Sequence, residues 1–455
     1  MAGNLTLAQL KKDVESGAVD TVLACQVDMQ GRLMGKRFHA RHFLDSAHEE
    51  THCCNYIVAT DMEMETVPGY KSTSWAAGYG DYTMKPDLST LRRIPWLEGT
   101  ALVLCDIQDH QSHGEVPHAP RTVLKRQIER LKDMGFQAMM GSELEFFLFD
   151  QSFADLREAG YRQMKLASAY NEDYHIFQTT KEEDVMRAVR NGLFGAGIPI
   201  ECTKGEASAG QEEINVLYAE ALECADNHSI VKNGTKEIAW AKGKAVTFMA
   251  KWDYAAAGSS SHIHQSLRGL DGKAAFHDAE AEHGMSPTMR HYLAGLLAHA
   301  DEITYFLAPY INSYKRFQAG TFAPTKSIWS RDNRTAGFRV CGENSGSVRV
   351  ECRIGGADLN PYLAFAAMIA AGIDGIERRL DLEEEFRGDA YGAGSVREIP
   401  KTLRAATALM NASGMLRTAF GEDVVDHYVH AAEWEQFEYD RRVTDWEIAR
   451  GFERA

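Results

Sequence analysis

The stretch GSELEFFLFD, residues 141–150, constrains the fold of this chain more than any other segment. Its large apolar residues predict a buried strand, yet Glu143 and Glu145 lie two residues apart within it. Alternate residues of a strand point to the same side, so both carboxylates occupy one face of a sheet. Burying two like charges together is costly unless a cation neutralises them. The strand therefore predicts a cation bound against a sheet.

Three further segments have charged residues on one strand face. These are 205–218 with Glu206, Glu213 and Asn215, 259–267 with His262, His264 and Ser266, and 346–355 with Arg349, Glu351 and Arg353. Any one of these alternations also fits a half-buried strand whose polar face meets solvent. Together the four segments carry Glu, His and Arg and lack Lys. That composition favours a shared metal-binding cavity over four solvated faces.

The residue types indicate which ion this cavity binds. Five carboxylates and a histidine, with no cysteine, favour hard divalent ions such as Mg²⁺ or Mn²⁺ over zinc. Five carboxylates exceed the needs of one Mg²⁺, so we expect two or three ions. The neighbouring arginines indicate an oxyanion substrate, because guanidinium groups bind carboxylate and phosphate in a bidentate manner. With no P-loop motif in the sequence, this combination points to nucleotide phosphoryl transfer outside the P-loop fold.

Composition excludes several classes of partner. The 455 residues carry a formal net charge of −16, which argues against binding to nucleic acid or to an anionic membrane. The eight cysteines form no CxxC pair, which is typical of a reduced intracellular protein. The N-terminus lacks the apolar segment of a signal peptide, and the longest apolar run, 362–373, is too short to span a bilayer. We therefore expect a cytoplasmic protein.

The chain divides into two predicted domains, 1–113 and 114–455. The polar segment 110–121 reads as a linker between them. Before it, the patterns predict a helix over 6–17, a hairpin over 19–38 that turns at 28–31, a long ordered loop over 68–90 and a strand over 101–109. After it, helices are predicted over 121–134 and 219–242, and at Ser286-Pro287 and Asn360-Pro361 where each pair begins a helix.

Five motifs in this order resemble the successive signatures of type I glutamine synthetases. They are ELEFFLF, AGQEEIN, GSSSHIHQSL, NSYKRF and RVECRIGGADLNPYLAFAAMIAAGIDGI, and they run over about 140–378. The N-terminal third is consistent with the small β-grasp domain of that family. The resemblance implies an α+β fold, with a β-grasp-like domain followed by a catalytic domain. In that catalytic domain an antiparallel sheet lines the active site and helices flank it.

The resemblance also assigns roles to matching residues. One metal ion would be bound by Glu145, Glu206 and Glu213, and a second by Glu143, His262 and Glu351. Glutamate would contact Glu145, the backbone around Gly258, Arg316 and Arg353. Arg334 and Arg339, together with Arg316, would be the catalytic arginines. ATP would contact His264, Ser266, Arg339 and Arg349, although for Arg349 a structural ion pair is the alternative.

The implied activity is that of an ATP-dependent carbon–nitrogen ligase. Metal ions align the γ-phosphoryl group of ATP with the side-chain carboxylate of glutamate, and the product is γ-glutamyl phosphate. An amine then displaces phosphate to give an amide. In this family such enzymes assemble as homo-oligomers, typically dodecamers of two hexameric rings with active sites between subunits. Segment 385–394 lies near the family's adenylylation loop, but its context differs, so modification of Tyr391 is not expected.

Three departures from the family concern the amine. Ammonia-using members read roughly RLVPGYEAP where this chain reads RFQAGTFAP (316–324), so their glutamate is replaced by Phe322. Their DGSS, whose aspartate binds ammonium, corresponds to PGYKSTSW (68–75), with Tyr70 near the aspartate position. Ala257 replaces the asparagine of their NGSG. Losing both ammonium-binding carboxylates predicts an organic amine as the acceptor.

The sequence thus resembles the branch of γ-glutamyl-amine ligases, whose acceptors include methylamine, ethanolamine, polyamines, other alkylamines and anilines. Phe322, Tyr70 and Trp75, with Tyr79 nearby, would form a partly aromatic acceptor pocket, which favours a small or alkyl monoamine. The alternatives are an ammonia-dependent glutamine synthetase, phosphoryl transfer without amide formation as in guanidino kinases, and a non-catalytic scaffold or regulator. Retention of all six metal ligands argues against the last.

Overall fold

The structure is a computed structural model that describes residues 3–455. Within this range the strands form two sheets. The first sheet contains β1 (Thr21–Val27), β2 (Leu33–His39), β3 (Thr51–Cys54), β4 (Asp81–Pro86), β5 (Arg92–Arg93) and β6 (Thr100–Asp109). They lie in the order β2-β1-β6-β4-β3, and β5 pairs with β6. The β1–β6 pair is parallel and its neighbours are antiparallel.

The first sheet confirms the predicted hairpin and corrects the predicted loop. β1 and β2 pair antiparallel, and the Asp28 carboxylate accepts hydrogen bonds from the backbone N–H groups of Gln30 (3.0 Å) and Arg32 (2.8 Å) in the turn. The loop predicted over 68–90 is wrong from Asp81 onward, where β4 begins. Three successive residues of β4 are buried, so it lacks the alternation that identifies a strand from sequence.

The second sheet is the larger one. It contains β7 (Phe136–Phe149), β8 (Ile200–Gly205), β9 (Gln211–Val216), β10 (Ala219–Glu220), β11 (Ala245–Thr247), β12 (Ser261–Gly269), β13 (Trp329–Arg331), β14 (Phe338–Cys341) and β15 (Arg349–Cys352). The order is β13-β14-β15-β12-β7-β9-β8, and β10 and β11 also pair with β7. The predicted antiparallel sheet is therefore confirmed, apart from the parallel β13–β14 pair at one edge.

Helices surround both sheets. They are α1 (Leu7–Ser16), α2 (Ala40–His42), α3 (Pro120–Asp133), α4 (Phe153–Glu158), α5 (Ile176–Thr179), α6 (Glu183–Gly195), α7 (Ala221–Ala241), α8 (Pro287–Ala298), α9 (Ala300–Leu307), α10 (Pro361–Arg378), α11 (Leu403–Ala412), α12 (Gly414–Phe420), α13 (Glu422–Asp440) and α14 (Asp445–Gly451). Ser286 and Asn360 cap α8 and α10 as predicted. Within residues 3–455 no helix combines the length and the apolar character needed to cross a bilayer.

Helix α10 forms the centre of the core. Nearly all of its residues are buried, and it packs against α3 and α8. It approaches α8 so closely that a Cβ atom on Gly375 would lie 2.2 Å from the carbonyl oxygen of His291, so only glycine fits there. The strands of the first sheet end at Asp109 and those of the second begin at Phe136. The domain boundary predicted within this interval stays a prediction, and the fold as a whole is α+β.

Candidate active site

Strand β7 is the centre of the candidate active site, because its neighbours align charged residues beside Glu143 and Glu145. In the antiparallel register with β12, His262 lies opposite Glu143. In the register with β9, Glu213 lies opposite Glu145. One strand further, Glu351 of β15 lies opposite His264. The four segments with one-sided charge therefore belong to one sheet.

The first group of metal-ligand candidates comprises Glu145, Glu206 and Glu213. One carboxylate oxygen from each lies within 4.8 Å of the others. Glu145 is held by the backbone N–H of Ser260, which donates to its Oε2 at 2.7 Å. Burial and the nearby charge of Glu145 raise the pKa of Glu213. This electrostatic conflict fits a bound divalent cation, which would stabilise all three carboxylates in ionised form.

The second group centres on Glu143. His262 Nδ1 lies 3.1 Å from Glu143 Oε2 and 3.6 Å from Glu351 Oε1. His264 Nε2, predicted to contact the nucleotide, lies 2.9 Å from Glu143 Oε1, so it also belongs to this potential ligand set. Burial opposes ionisation of Glu143, but hydrogen bonds with the two imidazoles lower its pKa. Oxygen and imidazole donors without thiolate suit Mg²⁺ or Mn²⁺.

The predicted arginines surround Glu351 and the space beside it. Arg339 and Arg353 each bond to Glu351, at 2.9 Å and 2.6 Å. Burial alone would raise the pKa of Glu351, but the Arg353 guanidinium and the nearby imidazoles lower it to about 2. Arg316 is buried and donates to the carbonyl oxygen of Ile354 at 2.9 Å and to that of Arg353 at 3.0 Å.

Arg334 differs from the other arginines because its guanidinium is exposed and makes no hydrogen bond within residues 3–455. Its backbone carbonyl accepts a hydrogen bond from Arg353 at 3.2 Å. The side chain nevertheless lines the cavity that contains the carboxylates. It is therefore available to contact an anionic ligand.

Two cavities meet at Glu143. A cavity of about 460 Å³ is lined by all six predicted metal ligands together with Gly258, Arg316, Phe322, Arg334, Arg339 and Arg353. An adjacent cavity of about 340 Å³ is lined by His264, Ser266 and Arg349. Glu143 lines both. The residues predicted to contact glutamate and those predicted to contact ATP thus lie on the two sides of this carboxylate, with Arg339 on the glutamate side.

The structure brings only one of the three predicted acceptor residues to this cavity, as far as residues 3–455 show. Phe322 lines the cavity and is 58% exposed. Tyr70 is buried, and its ring packs against His427 and His430 with centroid distances of 4.4 and 4.7 Å. Trp75 is 80% exposed and packs edge-on against Tyr79. Neither lines the cavity beside Phe322 in its own chain: the start of their loop packs on α13 through Tyr70, and Trp75 extends from the surface.

Several cavity residues lie outside the sequence prediction, among them the charged and aromatic residues Asp173, Tyr174 and Lys204. Lys204 forms an ion pair with Glu206, lies 3.5 Å from Asp173 and sits over the Tyr174 ring. Lys204 could have been predicted as a cavity residue from the sequence, because it lies two residues before the predicted metal ligand Glu206. Asp173 and Tyr174 lie in an irregular loop without a pattern that could identify them.

A further contact involves Tyr391, whose hydroxyl donates to the carbonyl oxygen of Ala323 at 3.1 Å. It therefore supports the loop that carries Phe322.

Comparison with protein families identifies the chain. Residues 117–451 match the catalytic domain of glutamine synthetase. This chain belongs to the glutamine synthetase family. It is an ATP-dependent carbon–nitrogen ligase of that family, whose members use ATP and divalent metal ions.

Several relatives resemble this glutamine synthetase family member over most of its length. It is 46% identical to gamma-glutamylethanolamide synthetase of Streptomyces coelicolor, over 99% of this chain and 96% of the relative. It is 36% identical to glutamate–isopropylamine ligase of a Pseudomonas species, over 98% and 97%. Glutamine synthetase of Thermus thermophilus is 36% identical over 81% and 84%. The ligand-free structure of GmaS superposes with a TM-score of 0.85 at 26% identity, over 98% and 100%.

Proposed function

We propose that this ligase joins the γ-carboxylate of glutamate to a small or alkyl monoamine. The observation that carries the proposal is Phe322, an exposed aromatic side chain on the wall of the cavity that contains the carboxylate groups. An aromatic surface there favours an amine with a carbon skeleton over ammonium. The names of two relatives support this choice, because one concerns ethanolamide synthesis and the other isopropylamine.

In this proposal the two clusters of metal-ligand candidates bind divalent ions, Mg²⁺ or Mn²⁺. Glu145, Glu206 and Glu213 bind one ion, and Glu143, His262 and Glu351 bind another, with His264 available as a further donor. A third ion would enter with the phosphates of ATP. When bound, the ions neutralise the phosphate oxygens of ATP and so permit attack by an anionic carboxylate.

The residues of the chain then perform two tasks. Arg316 and Arg353, with the backbone at Gly258, hold glutamate so that its γ-carboxylate faces the γ-phosphorus of ATP. A carboxylate oxygen attacks phosphorus, the bond to ADP breaks, and γ-glutamyl phosphate forms. Arg334 and Arg339 stabilise the charge on the phosphoryl oxygens during transfer. The neutral amine then attacks the acyl carbon, the bond from that carbon to the phosphate oxygen breaks, and the nitrogen gives up its proton to water.

Ammonia-dependent glutamine synthesis is the second candidate function, because the relative from Thermus thermophilus is named glutamine synthetase. Both candidates are tested by phosphate release with glutamate, ATP, Mg²⁺ or Mn²⁺, and a panel of amines that includes ammonium, ethanolamine, isopropylamine and a diamine. We expect an organic monoamine to give the highest kcat/KM. The best rate with ammonium would refute the proposed acceptor, and no turnover with any amine would favour a non-catalytic role.

We also propose that the protein forms a dodecamer of two hexameric rings. The loop that carries Trp75 is exposed and lies outside its own chain's catalytic cavity, so it is free to reach the cavity of a neighbour. Light scattering on the purified protein should give about twelve times the chain mass of 50.7 kDa. A monomer that is fully active would contradict this assembly.

A further inference from the structure

Three buried carboxylates lie together behind the catalytic sheet. They are Glu172 in the irregular segment before α5, Glu182 at the start of α6, and Glu212 on β9, and they are 0%, 5% and 1% exposed. One oxygen of each lies within 4.8 Å of the others. Glu212 precedes the candidate metal ligand Glu213 on the same strand, so the two side chains point to opposite faces of the sheet. The cluster is thus separate from the catalytic cavity.

The charge of this cluster is not balanced by neighbouring residues. Glu172 Oε1 accepts a hydrogen bond from the backbone N–H of Gly210 at 2.8 Å, but within residues 3–455 no group outside the cluster donates to Glu172 Oε2 or Glu212 Oε1. The nearby basic residues are engaged elsewhere. Lys181 donates to Gln178 at 2.6 Å, and Arg190 pairs with Glu183. Buried carboxylates without such partners are strongly destabilising.

Glu182 provides an independent indication of a ligand. It comes from a third segment, and its side chain is more than nine-tenths buried. No N–H or O–H group in the described part of the chain outside the cluster donates to either of its carboxylate oxygens, and one of them lies beside the other two carboxylates. A side chain at the start of a surface helix can readily turn to solvent. Its inward orientation therefore indicates something positive between the three groups.

We propose that Glu172, Glu182 and Glu212 bind a hard divalent cation outside the active site. Carboxylate oxygens are the ligands that Ca²⁺, Mg²⁺ and Mn²⁺ prefer, and the absence of nitrogen and sulfur ligands among the three disfavours zinc. Metal–oxygen distances of about 2.3–2.6 Å for Ca²⁺ place opposite ligands about 5 Å apart. One oxygen from each of the three carboxylates lies within 4.8 Å of the others, so the three are close enough to share one such ion.

The position of the site indicates its role. Asp173 and Tyr174 follow Glu172 directly and line the catalytic cavity. The segment already packs tightly on β8, because a Cβ atom on Gly205 would lie 2.6 Å from the Cβ of Glu172. A cation bound here fastens this segment to β9 and so fixes the part of the cavity wall that Asp173 and Tyr174 form. This role rests on the proposed function, whereas cation binding itself does not.

The decisive experiment is anomalous diffraction from a crystal of the native protein soaked in Mn²⁺. We expect a peak between the three carboxylates in addition to the peaks in the catalytic cavity. The absence of a peak between them would overturn the proposal and assign the cluster to shared protons, since burial raises the pKa values of Glu182 and Glu212. The crystal measures binding without substrate, so failure of the proposed ligase activity would leave this result unchanged.

Metal stoichiometry in solution supplies a second test. Glu212→Gln keeps the shape of the side chain and removes its charge, so we expect it to bind one Mn²⁺ fewer per chain than the native protein by elemental analysis. Glu183→Gln is the matched control, because Glu183 is half-exposed, adjacent to Glu182 and paired with Arg190. It should bind as much Mn²⁺ as the native protein. An undiminished Mn²⁺ content in Glu212→Gln would contradict the site.

Discussion

Phe322 and Tyr174 share a backbone conformation that side-chain-bearing residues rarely adopt. Their φ angles are +57° and +56°, in the left-handed region, which costs about 1–2 kcal/mol for a residue other than glycine. Both residues line the catalytic cavity. Strain of this kind persists where surrounding structure imposes it, and it concentrates at functional sites. The surrounding structure therefore imposes this conformation on both residues and holds their aromatic rings at the cavity.

Substituting Phe322 tests its role in acceptor choice. We expect Phe322→Glu to lower kcat/KM for the preferred organic amine by about tenfold, equivalent to about 1.4 kcal/mol, and to raise it for ammonium. The carboxylate would remove the apolar contact and attract a small cation. Phosphate release with each amine gives the ratio directly. The control is Phe194→Glu on α6, which is 69% exposed and does not line the cavity. An unchanged ratio in Phe322→Glu would exclude Phe322 from acceptor recognition.

Candidate site residues that lie in a regular strand pattern could be predicted from that pattern, whereas candidate site residues in loops could not. Glu143, Glu145 and His262 were found because strand alternation places them on one face. The resemblance then supplied Arg334 and Phe322, which alternation alone cannot identify. Tyr70 was assigned to the acceptor pocket, but its burial against α13 depends on long-range packing. Tyr174 was missed because it lies in an irregular loop, which leaves no periodic signal in the sequence.

The same contrast holds for secondary structure. Helices α8 and α10 could be predicted with their first residues, because Ser-Pro and Asn-Pro give local capping signals. Strand β4 was predicted as loop, because its burial on both faces removes the alternation. The cluster of Glu172, Glu182 and Glu212 joins an irregular segment, the start of α6 and a strand. The cluster depends on tertiary contacts between residues up to 40 positions apart, so no sequence motif predicts it.

The junction of helices α8, α9 and α10 contains a charged hydrogen-bond network around His299. His299 Nδ1 lies 3.1 Å from Glu302 Oε2, and Nε2 lies 2.7 Å from Asp374 Oδ2 on α10. Ser413 also bonds to Glu302, and Arg378 pairs with Asp374 at 3.0 Å. Burial lowers the pKa of His299, but the two carboxylates outweigh it, and the net pKa is raised above 6.5. The protonated imidazole therefore joins the helices.

This network predicts a pH-dependent contribution to stability. Because the folded-state pKa of His299 is raised, its contribution is fully present below about pH 6.5 and is lost as the pH rises through the folded-state value. We expect His299→Gln to destabilise the protein by about 2 kcal/mol at pH 6 and by progressively less toward pH 9. Thermal unfolding of both proteins across this range measures the difference.

A neighbouring histidine gives the control for that experiment. His291 on α8 bonds to the backbone carbonyl of Leu380 at 2.8 Å and has no carboxylate partner within residues 3–455. His291→Gln should change the unfolding temperature, but its destabilising effect should not become larger at low pH. A destabilisation by His299→Gln that is constant from pH 6 to pH 9 would show that the imidazole acts through packing alone.

Eight of the 65 acidic residues of the chain lie where cations are proposed to bind. The catalytic cavity contains five clustered carboxylates, and the buried cluster contains three more. Two or three divalent ions in the cavity and one in the cluster would offset six to eight of these charges. Bound ions are therefore expected to contribute to the stability of the whole protein as well as to its chemistry.

Removal of divalent ions should consequently destabilise the native fold. An ion present at 100 times its dissociation constant stabilises by about 2.7 kcal/mol, which corresponds to about 3–5 °C for a chain of this length. We expect the unfolding temperature to fall by about that amount on dialysis against EDTA and to recover with Mn²⁺. Glu213→Gln should show a smaller fall, because the neutral amide relieves the repulsion with Glu145 that the ion otherwise offsets. Equal falls in the two proteins would mean that the catalytic carboxylates fold without the help of an ion.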